Sequence, residues 1–356
     1  MKKIKVFDFF SGCGGTSQGF TQAGMDVVFG LDFDRDAGES FKLNFPKAKF
    51  YTSDIRTLNI DVVNNIVNPL RKKGYPILFS GCAPCQPFSR QNGHKSSKDP
   101  RLNLLKEFSR FVENIRPDFV FVENVPGIQK VDAGNGPFIE FVQLLSNLGY
   151  SYSYDVLPAL WFGVPQTRER LVLIASKVCD AVLPHKTHDG TMNPYTTVRD
   201  WIDHLPKIEA GTSHSEVPDH QSAKLTDINI ERIRATKEGG GRETWPEHLI
   251  LPCHLKHKGH TDVYGRLSWD KPASGLTTRC ISYSNGRFGH PEQDRAISVR
   301  EAACLQTFPL EYRFVGNLQS KARQIGNAVP PKMAEAVGKE IIKQMKNKAK
   351  QNQYSD

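Results

Sequence analysis

A chain of 356 residues with 38% hydrophobic and 24% charged side chains exceeds what one core usually holds, so one full domain plus a smaller one is expected. No apolar run is long enough to span a membrane, and the start MKKIKVFDFF lacks the apolar core and cleavage site of a signal peptide, which argues against membrane and secreted classes. The net charge of +9 suits a polyanionic partner such as nucleic acid, or simply a basic soluble protein, and seven irregularly spaced cysteines suit free thiols in a cytoplasmic chain better than a disulfide framework.

The first element is a buried-type strand, IKVFDFF (4–10). SGCGG follows, then a helix through TSQGFTQAG. MDVVFGLD (25–32) is a second strand, RDAGESFKLNF a helix and KAKFYTSDI a third strand. YPILFSG (75–81) and DFVFVENV (118–125) are the fourth and fifth. Between these two, Leu104, Leu105, Phe108, Phe111, Val112 and Ile115 recur at helical spacing. LVLIASK (171–177) is a later strand. Alternating strands and helices predict an α/β fold, a parallel sheet covered on both faces. Residues 181–297 lose this rhythm and are rich in His, Gly, Pro and charge, as in a second, smaller, loop-rich domain. The helical pattern returns from Ser298. The expected division is therefore 1–180 with 298–345, then 181–297, then a basic tail 346–356. No internal repeat is present.

The stretch DFFSGCGG places Gly12, Gly14 and Gly15 straight after the first strand, where glycine lets the backbone turn tightly and approach a ligand. It is not a P-loop, because no Gly-Lys-Ser/Thr follows. LDFD puts Asp32 at the end of the second strand, where an acid would grip ribose hydroxyls. A solvated acidic loop is the plainer alternative. SDI adds Asp54 at the end of the third strand. Ligands bind outside the carboxyl ends of parallel strands, so these loops converge, and a dinucleotide oxidoreductase fits this much.

FSGCAPCQPFS (79–89) poses a metal clip, a disulfide or a nucleophile. Zinc needs about four ligands, and no second cysteine knuckle accompanies this pair; His94 is a weak candidate, so no metal site is expected. Cys82 reads as a small buried residue. Cys85 lies past the strand end in a Pro–Cys–Gln–Pro turn. An inert loop cysteine would be the ordinary reading. ENV at the next strand end changes it, because Glu123 and Asn124 then face the same crevice. A thiol and a carboxyl beside a nucleoside-type pocket make a nucleophile and an acid.

Together these residues resemble the DNA (cytosine-5)-methyltransferases, most closely the bacterial restriction–modification type, nearly end to end and in the family's order. DFFSGCGG resembles its S-adenosylmethionine loop, GLDFD and SDI its next cofactor elements, APCQPFS its nucleophile loop and ENV its glutamate element. QTRER (166–170) resembles the arginine motif that holds the target base, DKPASGLTT (270–278) a threonine-bearing signature. SVREAACLQTFP and RQIGNAVPP resemble the closing elements. The resemblance implies a Rossmann-like S-adenosylmethionine-dependent methyltransferase sheet with a DNA-recognition domain at 181–297. It implies sequence-specific methylation of cytosine carbon 5 in double-stranded DNA through base flipping and a covalent Cys85 adduct.

Cys85 would then attack carbon 6, Glu123 would protonate or hydrogen-bond ring nitrogen 3, and Arg170 would hold the base carbonyl with Arg168 nearby. Gln86 and Asn124 complete the catalytic set. The cofactor set is Phe10, Ser11, Gly12, Cys13, Gly14, Gly15, Asp32, Phe33, Asp54, Ile55, Pro84, Leu104, Asn327 and Val329. Asp32 stands where relatives commonly carry Glu, a shorter reach to the ribose. The segment 89–101 reads as a lid closing on DNA, with Ser89, Gln91, Lys95, Lys98 and Arg101 at the duplex. In the second domain Arg266, Arg279 and Arg287 are expected DNA contacts, although any one basic residue is most simply a solvated charge. A monomer is expected, in the bacterial cytoplasm and on the nucleoid through DNA, with a cognate restriction endonuclease acting on the same site. Oxidoreductase chemistry does not account for Cys85, Glu123 and Arg170 together. A tRNA cytosine-5 methyltransferase of the same fold remains the alternative, although the Cys-Phe-Thr tripeptide of that group is absent. A DNA-binding protein without activity would show a replaced catalytic residue, and none is replaced.

Overall fold

The computed structural model describes residues 2–84, 103–129, 136–256 and 261–353. The chain forms two compact units, one of Met1–Pro158, Glu169–Lys186 and Val329–Asp356, the other of Ala159–Arg168 and Thr187–Ala328.

The first unit alternates β1 (Lys5–Phe9), α1 (Gly15–Gln22), β2 (Asp26–Asp32), α2 (Arg35–Asn44), β3 (Lys49–Thr52), α3 (Ile60–Lys72), β4 (Ile77–Gly81), α4 (Leu104–Ile115), β5 (Phe119–Asn124) and α5 (Pro137–Asn147). Strands β6 (Ser151–Pro158) and β7 (Glu169–Ser176) follow. The sheet order is β3-β2-β1-β4-β5-β7-β6. The first five strands are parallel, but β7 runs antiparallel to both β5 and β6. The parallel sheet expected from the sequence is present in these five strands, and β7 adds an antiparallel pairing that the sequence did not reveal. The edge strand β6, SYSYDVLP, is mostly exposed and carries little apolar signal, so it went unrecognised.

β1 shows how the sheet is covered. Its residues alternate sides. Phe7 and Phe9 join Phe29, Phe79, Phe108 and Phe111, with ring centroids of successive pairs 5.1–5.5 Å apart. Helix α4 contributes a stripe of Leu105, Phe108, Phe111, Val112 and Ile115 to that core. The other side carries α1 and the last helix (Pro331–Gln353), packed so closely that a Cβ on Gly19 would lie 2.2 Å from the Pro331 carbonyl.

The second unit is loop-rich, with short helices α6 (Val198–Ile202), α7 (Asp227–Arg234), α8 (Pro252–Lys256), α9 (Val299–Leu305) and α10 (Leu318–Asn327); the last helix of the first unit is α11. Residues 298–328 fall in this unit, where the sequence suggested the other. The start of α9 is tied there by backbone: Val299 N–H donates to the Gln221 carbonyl at 3.0 Å and Arg300 N–H to the Asp219 carbonyl at 2.9 Å, and the buried Arg295 guanidinium meets both Glu301 carboxylate oxygens at 2.7 Å.

Candidate functional site

The carboxyl ends of β1, β2, β3, β4 and β5 share one edge of the sheet, and β7 enters at that edge beside β5, with Asn124 opposite Leu171. The strand order reverses between β1 and β4, the place where open α/β sheets bind ligands.

After β1 the backbone enters the left-handed region at Phe10, Gly12 and Gly14, with φ of 57°, 52° and 95°. Ser11 N–H returns to the Leu31 carbonyl at 3.0 Å, and Gly14 caps α1 without a side-chain hydrogen bond. A helix start of this kind offers N–H donors to an anion. Gly12, Gly14, Gly15 and Cys13 form the turn; the Cys13 thiol is buried, which pushes it up out of the titrating range. At the end of β2, Asp32 accepts from Gly12 N–H at 2.8 Å and Asp34 N–H at 2.9 Å, while burial raises its carboxyl above the ordinary value. Phe33 beside it is 72% exposed, a large aromatic face held open to solvent. At the end of β3, the Asp54 carboxylate takes Arg56 Nε at 3.0 Å on each oxygen, and these hydrogen bonds hold it below the usual carboxylate range. Ile55 is buried, and its carbonyl accepts from Arg110 of α4 at 2.9 Å; Leu104, half-buried, starts that helix. An uncapped helix start, a carboxylate, an exposed ring and a second carboxylate suit an amino-acid-bearing nucleoside.

Along the same edge, Glu123, the last residue but one of β5, is buried. Arg170 Nε of β7 lies 2.8 Å from its Oε1, an ion contact and not an aligned hydrogen bond. Arg170 also donates to the Glu169 carbonyl at 2.7 Å. Asn124 Nδ2 donates to the Ala83 carbonyl at 3.2 Å, tying the end of β5 to the segment that leaves β4 through Cys82, Ala83 and Pro84. The Cys82 thiol lies 3.7 Å from Thr16 Oγ1 and is pushed well up by burial, then by Glu123 and Asp8. Cys85, Gln86, Ser89, Gln91, Lys95, Lys98 and Arg101 lie outside the described residues.

Arg168 belongs to the second unit. Its buried guanidinium meets the carbonyls of Leu276 at 3.1 Å and Gly326 at 3.4 Å, so there it braces backbone. Asn327 ends α10 exposed, and Val329 is buried. Arg266 requires correction as a DNA contact. It is buried, and it donates to the carbonyls of Ile233, Thr236, His290 and Gln293 and to Asp294. Arg279 is exposed and reaches Asn285 at 3.2 Å; Arg287 is half-buried and holds Asp262 and the Gly239 and Gly240 carbonyls. Sequence reading missed Asp8, an acid inside the apolar run VFDFF; that misfit was its signal.

The profile of the C-5 cytosine-specific DNA methylases matches residues 4–343. The chain is 41% identical over 342 residues to the type II methylase M.HgiDII of Herpetosiphon aurantiacus, covering 94% of each chain. It is 33% identical to the type II methyltransferase M1.HphI of Haemophilus parahaemolyticus, covering 97% of this chain and 88% of that one. Among solved structures, an E. coli prophage-encoded chain assigned as a DNA modification methyltransferase matches with a TM-score of 0.76 at 24% identity, covering 97% of this chain and all of that one.

Proposed function

The chain belongs to the C-5 cytosine-specific DNA methylases, and on that premise we propose that it is a modification enzyme that flips one cytosine from duplex DNA and methylates carbon 5 through a covalent adduct of Cys85. The observation that carries this reading is the Glu123–Arg170 pair at the strand ends, with Asn124 anchoring the segment that leads to Cys85. Carbon 5 of cytosine is a poor nucleophile. Addition of the Cys85 thiolate to carbon 6 makes the ring an enamine and carbon 5 reactive. Glu123 presents a proton or hydrogen bond to ring nitrogen 3 as that charge develops, and Arg170 holds both this carboxyl and the base carbonyl. Transfer is followed by loss of the carbon 5 hydrogen and elimination of the thiol. The target atom is closed off inside a duplex, which is why the base must leave the stack.

The first unit fits S-adenosylmethionine, which when bound supplies an electrophilic methyl group. Phe33 would stack on its adenine, Asp54 would accept from the adenine amino group, Asp32 would hold the ribose and the start of α1 would face the amino-acid end. Asp54 would then share its carboxylate with Arg56. The domain at 181–297 would read DNA; the exposure of Arg279 supports a contact there, whereas the guanidinium of Arg266 is occupied as a brace. A type II enzyme of this sort acts with an endonuclease of the same site, in the bacterial cytoplasm.

The test is a covalent trap. Duplex DNA carrying 5-fluorocytosine at the methylated site cannot complete elimination, because fluorine does not leave as a cation. The expected product survives SDS, requires S-adenosylmethionine and maps by mass spectrometry to a peptide containing Cys85. Attachment at Cys82, or none on a duplex that is otherwise methylated, overturns the mechanism.

A further inference from the structure

The face of the sheet under α1 is apolar, as in the edge-to-face contact of Phe20 with Phe121 at 5.4 Å. Three wholly buried polar side chains interrupt it: Asp8, Ser17 and Ser80. Asp8 of β1 lies in register with Ser80 of β4. Ser17 of α1 donates to its Oδ2 at 2.6 Å and Ser80 to its Oδ1 at 2.8 Å. Ser80 is also 4.0 Å from the Cys82 sulfur, which in turn faces Thr16. Asp8 therefore spans β1 and β4, the point where the strand order reverses, and joins α1 to the strand that leads to Cys85.

Burial is an expensive way to keep a carboxylate, because packed apolar groups of similar volume are often as stable or more so. The carboxyl is pushed up to about 6, chiefly by desolvation, and the charge of another acid, Asp32, pushes the same way. A stabilising ion pair is thus not what this triad provides. What it provides is geometry. One rigid acceptor fixes two donors on separate elements, and each donor sits just inside one of the loops that form the site.

We propose that Asp8 is a positioning residue that couples the glycine loop after β1 to Cys82–Pro84, the segment that leaves β4, so that the position of the first fixes that of the second. The inference rests on the methyltransferase reading given above. Ser17 and Ser80 bond to Asp8 through different oxygens. Coupling between them therefore passes through Asp8.

The experiment is a double-mutant cycle of Ser17→Ala and Ser80→Ala in the full chain, repeated with Asp8→Ala and Asp8→Asn. Three quantities are read: S-adenosylmethionine affinity by calorimetry, single-turnover methylation at saturating cofactor, and thermal midpoint. The expected result is that Ser80→Ala weakens cofactor binding although Ser80 belongs to another strand, with a Ser17–Ser80 coupling of roughly threefold or more. The coupling disappears with Asp8→Ala and returns in part with Asp8→Asn, which keeps one acceptor. A merely structural triad lowers the midpoint in every variant and leaves affinity unchanged well below it. Additive serine effects, or coupling that persists with Asp8→Ala, overturn the proposal. A wild-type chain that binds no S-adenosylmethionine overturns the methyltransferase reading and this inference with it.

Discussion

Replacing Glu123 by Gln separates chemistry from architecture. The substitution keeps the shape and removes the charge that faces Arg170 at 2.8 Å. Arg170 retains its bond to the Glu169 carbonyl and, with 18% of its side chain exposed, part of its hydration, so losing this ion contact costs the fold less than stranding Glu123 would. Activity should fall by roughly 10²–10⁴, the range for a lost general acid, or about 3–5 kcal/mol of transition-state stabilisation. Arg170→Ala does the converse. It leaves the Glu123 side chain, 11% exposed, without its cation, and removing one partner of a buried pair costs about 3–5 kcal/mol of stability. In a cooperative unit of this size each kcal/mol moves the midpoint by about 2–4 °C, so a drop on the order of 10 °C is expected there and a smaller one in Glu123→Gln. Single-turnover methyl transfer and thermal unfolding of both variants check the pair. A Glu123→Gln enzyme with more than a tenth of the wild-type rate refutes the assigned role.

Asp32→Ala should weaken S-adenosylmethionine by roughly 10- to 100-fold and leave DNA binding nearly unchanged, measured by calorimetry with each ligand, since it removes a charged acceptor that also organises Gly12 N–H. Asp8 titrates near 6 in the folded chain against an ordinary 3.8, so between about pH 4 and 6 the native state binds the extra proton and stability falls as pH rises. Subtracting the Asp8→Asn stability curve from that of the wild type should leave that decline, about 3 kcal/mol in total; a flat difference refutes it. Arg266→Ala should destabilise the second unit by more than about 3 kcal/mol, because it strands several buried carbonyls, while the folded fraction keeps its DNA affinity in a filter-binding assay.

Strands that are buried on both faces were legible because continuous apolar runs have few other uses. β1, β4 and β5 stand within two residues of where the sequence put them. β6 was not, since an exposed edge strand alternates weakly, and the direction of β7 was hidden because it follows a loop and not a crossover helix. Arginines were the least legible residues. In sequence Arg266 and Arg279 are equivalent basic residues in a region that reads as DNA-binding. Their surroundings separate them: one meets four backbone carbonyls, the other remains exposed.

The motif QTRER makes the same point within five residues. Gln166 donates to the Leu305 carbonyl at 2.6 Å and accepts Leu276 N–H at 3.1 Å, and Arg168 holds the Leu276 and Gly326 carbonyls, all inside the second unit. Two residues later the chain is in the first unit, and Arg170 faces Glu123. One short stretch thus carries two demands, bracing backbone in one unit and presenting a cation in the other. On the proposed chemistry the cation beside Glu123 is Arg170. Arg170→Lys should therefore impair methylation strongly, since a point charge replaces a planar fork, whereas the cost of Arg168→Lys should appear in the unfolding of the second unit.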